Sequence, residues 1–146
     1  MPTDACTTRK RVTKIVVEEN RRKATFINVE RAWYEVTQVD GCLCHNEEAA
    51  DFVVSKENVG AVVVELKGRD VPHAVQQVLA TAAFWRKHRP DCRVLAGLIV
   101  CRARPSYSTS VQRAQAKFAK VFRGPLHIVP KNKDLCLELV LNFKPL

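Results

Sequence analysis

DFVVSKENVGAVVVELKGRDVPHAVQQVLAT, residues 51–81, is the stretch whose reading decides the fold. Two valine-rich runs flank Glu57-Asn58-Val59, and Asn58 with Gly60 supplies the backbone freedom that a tight turn needs, so the stretch opens as a β-hairpin. Folding it about Asn58 pairs Phe52-Val53-Val54 with Val62-Val63-Val64 and sets Asp51 directly opposite Glu65. This register requires a loop of odd length, because a slip of one residue would turn Asp51 to the other face of the sheet. Directly opposed side chains lie about 4.5–5.5 Å apart at Cβ, and like charges so placed repel unless a cation stands between them. Alternation puts Lys67 on the face of Glu65, with Val64 and Leu66 on the other. After Gly68, Asp70 is a helix cap and Pro72 falls in the first turn. Val71, Ala74, Val75, Val78, Leu79 and Ala82 form the apolar stripe of the helix that follows. Trp85 starts its basic end and Pro90 stops it. His73 and Gln77 are neighbours on the edge of that stripe, near where the strand of Lys67 ends.

An acid on one strand followed by Glu-x-Lys on the next resembles the core of the PD-(D/E)xK nuclease superfamily, matched here by Asp51, Glu65 and Lys67. The match continues through Val64-Glu65-Leu66-Lys67-Gly68 to a helix glutamine, for which Gln77 is preferred over Gln76. Ala50, where many members have proline, departs from the pattern. The resemblance implies a catalytic set of Asp51, Glu65, Lys67 and Gln77. It implies Mg²⁺, or Mn²⁺ in its place, held by Asp51, Glu65 and the main-chain carbonyl of Leu66. Magnesium is a hard cation that takes oxygen ligands and keeps several waters. The implied activity is hydrolysis of phosphodiester bonds in nucleic acid, DNA being taken ahead of RNA. Many enzymes with this core cut both strands as dimers, which leaves a homodimer open. Glu30, Glu35 and Asp40 are further acids that could join the metal, although an Asp before Gly41 more commonly makes a turn.

The rest of the chain is organised around this stretch. Residues 1–11 form a loose basic tail and 12–146 a single domain, since 146 residues leave no room for a second. Val12 to Glu18 and Ala24 to Glu30 make a first hairpin, and Ala32 to Val39 a further strand ending at Asp40-Gly41. Val94 to Val100 is apolar throughout, as a strand covered on both faces should be. Ser110 is the expected cap of a basic amphipathic helix over Val111 to Arg123, its apolar side formed by Val111, Ala114, Phe118, Val121 and Phe122. Leu126 to Val129 and Leu135 to Leu141 are the last strands. The expected fold is therefore α/β: a central mixed sheet flanked by helices, restriction-endonuclease-like, with an N-terminal β-hairpin.

The formal charge of +9 points to a polyanionic partner, nucleic acid before membrane. Arg102, Arg104, Lys117 and Lys120 are the expected phosphate contacts. No apolar run reaches the roughly 20 residues that span a bilayer, and the N-terminus has no secretory core, which places the protein in the cytoplasm. The six cysteines are scattered and read as reduced thiols. Cys42-Leu43-Cys44-His45 lacks the downstream pair of a zinc finger. Two other functional classes stay open: a basic nucleic-acid-binding module that cuts nothing, and a regulatory partner in a larger complex.

Overall fold

A computed structural model describes residues 4–45, 47–66, 70–101, 108–130 and 134–146. Strands β1 (Thr7–Lys10), β4 (Tyr34–Gln38), β5 (Phe52–Lys56), β6 (Gly60–Leu66), β7 (Leu95–Val100) and β8 (Leu126–Val129) form one sheet in the order β1-β4-β5-β6-β7-β8. The first four strands in that order pair antiparallel; β6, β7 and β8 pair parallel. Parallel neighbours need crossovers, supplied by α1 (Val71–His88) and α2 (Thr109–Phe122). A smaller sheet contains β2 (Lys14–Glu19), β3 (Arg22–Ile27) and β9 (Asp134–Leu135), the last beside α3 (Leu137–Val140).

Alternation along β6 divides the core in two. Ala61 and Val63 pack with Ala74, Val78, Trp85 and Phe118 under the helices. Val62, Val64 and Leu66 pack with Ile15, Phe26, Leu135 and Leu137 under the small sheet and α3. The fold is thus α/β with a mixed sheet, but helices α1 and α2 cover one face and mainly strands the other. All six residues of β7 are buried, as a strand covered on both faces requires.

The central hairpin has the expected register, Phe52 opposite Val64 and Lys56 opposite Gly60. Asn58 turns it with φ 62°. Gly60 serves differently from the expectation: a Cβ there would lie 2.8 Å from the Val94 carbonyl oxygen, so the residue permits close approach, not unusual dihedrals. The N-terminal hairpin is also present, closed by Asn20 and Arg21, both at positive φ.

Several expectations are corrected. Part of the supposed loose tail is β1, which pairs with β4 along its length and is fastened by a Thr7–Thr37 hydroxyl bond of 2.9 Å and a Cys6–Cys42 disulfide. Two of the six cysteines are therefore not reduced thiols, and Cys42 is not available as a zinc ligand. Leu135 to Leu141 is not one strand. Leu137 and Val140, three apart, are both fully buried while Leu139 is 58% exposed, a helical spacing that a short apolar run disguises as alternation. Ser108, not Ser110, caps α2, its Oγ accepting from the Val111 N–H at 3.2 Å. Trp85 is core rather than the start of a polar end, and Val121 is exposed.

Candidate active site

Strand pairing builds the candidate site from the backbone outward. The Phe52–Val64 pair carries the register one step on to Asp51 and Glu65. There the Asp51 N–H donates to Glu65 Oε1 at 3.1 Å, and the Leu66 N–H donates to Asp51 Oδ2 at 2.9 Å. Each carboxylate is thus held by a main-chain donor of the opposite strand. Both are buried, Asp51 to 8% exposure and Glu65 to 2%. A buried charge must be paired, hydrogen-bonded or neutralised, and two carboxylates brought together invite a shared cation.

Helix α1 sets the entry to this pair. Asp70 caps it, Oδ1 accepting from the His73 N–H at 3.0 Å. Two turns later Gln77 faces inward while Gln76 is exposed. Gln77 Nε2 donates to the Ala49 carbonyl at 3.1 Å, and Thr81 Oγ1 accepts the Ala50 N–H at 2.8 Å. Four residues apart on one helix face, they clamp the two residues that lead into Asp51. Gln77 Oε1 is buried with no hydrogen-bond partner among the described residues. Thr81 escaped the sequence reading; its i+4 spacing from Gln77 places it on the same helix face, but no local pattern announces its bond to Ala50.

The other expected residues are not all gathered here. Lys67, Arg102 and Arg104 lie outside the described residues. Lys117 and Lys120 are exposed on α2. The side chain of Leu66 points under the small sheet, leaving only its main chain on the acid side. Glu30 is bonded to Lys56, and Glu35 lies 3.7 Å from Arg89. Asp40 is exposed, its backbone N–H bonded to the Ala50 carbonyl. Among the described residues no three His, Cys, Asp or Glu side chains group to hold a metal ion. The donors that do meet are all oxygens, a set that fits a hard cation retaining several waters and not a soft one. A carboxylate offers about four lone-pair sites, so an accepted N–H does not preclude an ion.

A second charged cluster sits on the small-sheet side. Lys56 is only 8% exposed and bonds Glu30 and, at 2.7 Å, Glu138. Burial alone would lower its pKa, but the two carboxylates hold it above the ordinary amine value, and Lys56 in turn holds both glutamates below theirs. Burial pushes the neighbouring Tyr34 up to about 12. A lysine so charged is no nucleophile, and this cluster is a clasp between β5 and α3.

Comparison of the chain with protein-family models, curated proteins and solved structures finds no match. No helix among the described residues is long and apolar enough to cross a membrane.

Proposed function

We propose that the protein is a divalent-metal-dependent nuclease of the PD-(D/E)xK type, hydrolysing phosphodiester bonds in nucleic acid, DNA ahead of RNA. The reading is carried by one observation, the opposition of two buried carboxylates, Asp51 and Glu65, each held by the other strand's main chain. A three-strand meander, β4 to β6, followed by α1 and the parallel strand β7 supports a restriction-endonuclease-like core.

Asp51, Glu65 and the Leu66 carbonyl would hold Mg²⁺ or Mn²⁺. Such an ion supplies charge compensation for a phosphate in transit and makes water easier to deprotonate. The chain does the rest. Burial of the two acids keeps their geometry set before substrate arrives, so little reorganisation accompanies reaction. Lys67, two residues beyond Glu65, is assigned to align the attacking water or stabilise negative charge, for which a compact, mobile ammonium is suited. Gln77, anchored through Nε2 and with Oε1 unpartnered among the described residues, is assigned to orient water or phosphate.

A second reading, a binding module that cuts nothing, is favoured by the exposed Lys117 and Lys120 on a strongly basic chain. Incubation of single- and double-stranded DNA and RNA with the protein and Mg²⁺ or Mn²⁺ separates the two. The nuclease reading expects ion-dependent cleavage that Asp51→Asn and Lys67→Ala both abolish. Cleavage surviving both substitutions excludes this site, and salt-sensitive binding without cleavage under any ion returns the binding module.

A further inference from the structure

The turn end of the β5–β6 hairpin, away from the acids, carries a different chemistry. A cleft of about 1000 Å³ opens there, lined by Arg9, Trp33, Glu35, Ser55, Arg89 and Arg93 among others. The Arg9 guanidinium lies 4.4 Å from the centre of the Trp33 ring and that of Arg11 4.9 Å. Arg11 extends the basic surface, lining a smaller cleft with Arg31. Arg89 is fixed against Trp85 at 5.1 Å, and its Nε is buried with no hydrogen-bond partner among the described residues. None of the acid-end residues Asp51, Glu65 and Gln77 lines this cleft.

We propose that this cleft binds single-stranded nucleic acid, with a base stacked on Trp33 and the flanking phosphates on Arg9, Arg11, Arg89 and Arg93. The inference rests on the nucleic-acid reading above but not on its cleavage chemistry. A half-exposed indole beside guanidinium groups is the combination that holds unpaired bases, because any base has a face to stack and any strand has phosphates. A duplex keeps its bases stacked on each other and is read by an element inserted in a groove. An exposed guanidinium over an indole is held weakly, so an incoming base can displace Arg9 or Arg11, and the displaced cation remains beside the phosphate.

The carboxylates in the cleft set the balance of forces. Arg9 lies 3.8 Å from Glu57 and Arg89 3.7 Å from Glu35, contacts long enough for phosphate to compete. With Asp91 also in the lining, the excess of positive charge is small. Stacking on Trp33 therefore carries more of the recognition than charge does, and the site is short. Neutralising about two phosphates gives a slope of log affinity against log salt near −1.4 for a single strand.

The chain has two tryptophans, and Trp85 also borders this cleft although it is 2% exposed, so the part of the emission quenching that is lost in Trp33→Ala is the part that reports Trp33. The full chain is titrated in EDTA into a short dye-labelled oligothymidylate, whose anisotropy reads binding by every variant, and tryptophan emission is followed alongside. Emission is expected to fall on binding. Trp33→Ala and Arg93→Ala should each weaken binding about tenfold, as loss of one stacked base or one phosphate contact does. Trp33→Phe, which keeps an aromatic face, should bind within about threefold of the parent, and a duplex of the same length should compete poorly. Binding that leaves emission unchanged and ignores Trp33→Ala and Arg93→Ala overturns this site while the nuclease reading stands. Equal or tighter binding of the duplex overturns the single-strand assignment, and no binding in EDTA overturns this site, while the nuclease reading is judged separately by cleavage with Mg²⁺ or Mn²⁺.

Discussion

The two ends of one β-hairpin contrast sharply. At one end Asp51 and Glu65 are closed off and their oxygens fixed by main-chain donors. At the other, Arg9 and Arg93 are exposed beside the half-exposed Trp33. The difference lies in what must be ordered when a ligand arrives. Buried, bonded carboxylates have little rotamer freedom left to lose, which suits a small ion that demands fixed geometry. Exposed arginines lose freedom on binding, which suits a long polyanion gripped at several weak points.

The largest expected effect falls at the acid end. Glu65→Gln keeps an oxygen to accept the Asp51 N–H but removes the charge, so the cleavage rate should drop by at least about 100-fold, about 2.7 kcal/mol of barrier. Circular dichroism should show the fold intact; a rate within about threefold of the parent breaks the contrast, because the closed end would then have no chemistry of its own. Thr81→Val, nearly isosteric, strands the buried Ala50 N–H and should cost about 1–3 kcal/mol in urea unfolding. Mn²⁺ affinity should also weaken, by roughly tenfold, because the residues leading into Asp51 lose one of their two clamps. Unchanged affinity with lost stability would reduce Thr81 to a packing role.

Between the ends, the Lys56 clasp gives a pH dependence. The folded pKa values of Glu30 and Glu138 are depressed, so their contribution is full above the ordinary carboxylate value of 4.5 and is lost as pH falls through the depressed values. Lys56 is raised, so its contribution is full below 10.5 and is lost as pH climbs through the folded value. The urea midpoint of the parent should therefore fall below pH 4.5 and above pH 10.5, and the Lys56→Met profile should be flatter at both edges. Equal slopes would show that the clasp is not electrostatic. The smallest effect belongs to the open end, where Arg93→Ala should change stability by less than about 0.5 kcal/mol. A larger loss would mean that the open end is held as tightly as the closed one.

What could be read in advance follows the range of the forces. The hairpin register was legible because a positive-φ Asn58 and the flanking valines act within a dozen residues. The bounds of α1 were legible for the same reason, from Asp70, Pro72 and Pro90. Pairing of β1 with β4, the Cys6–Cys42 bond across 36 residues and the docking of β9 on β3 depend on the assembled fold, and no local pattern announces them. Asp51 opposite Glu65 could be deduced from the loop length. The Thr81 hydrogen bond to Ala50, 31 residues away, and the arginines that meet around Trp33 could not.

Calorimetric titration with Mn²⁺ in the absence of nucleic acid tests the central claim most directly, since it asks only whether the opposed carboxylates hold a hard cation. One ion per chain should bind the parent, and Asp51→Asn and Glu65→Gln should each abolish the heat while Lys117→Ala leaves it unchanged. Binding that survives both acid substitutions, or a parent chain that takes up no ion, would contradict the account.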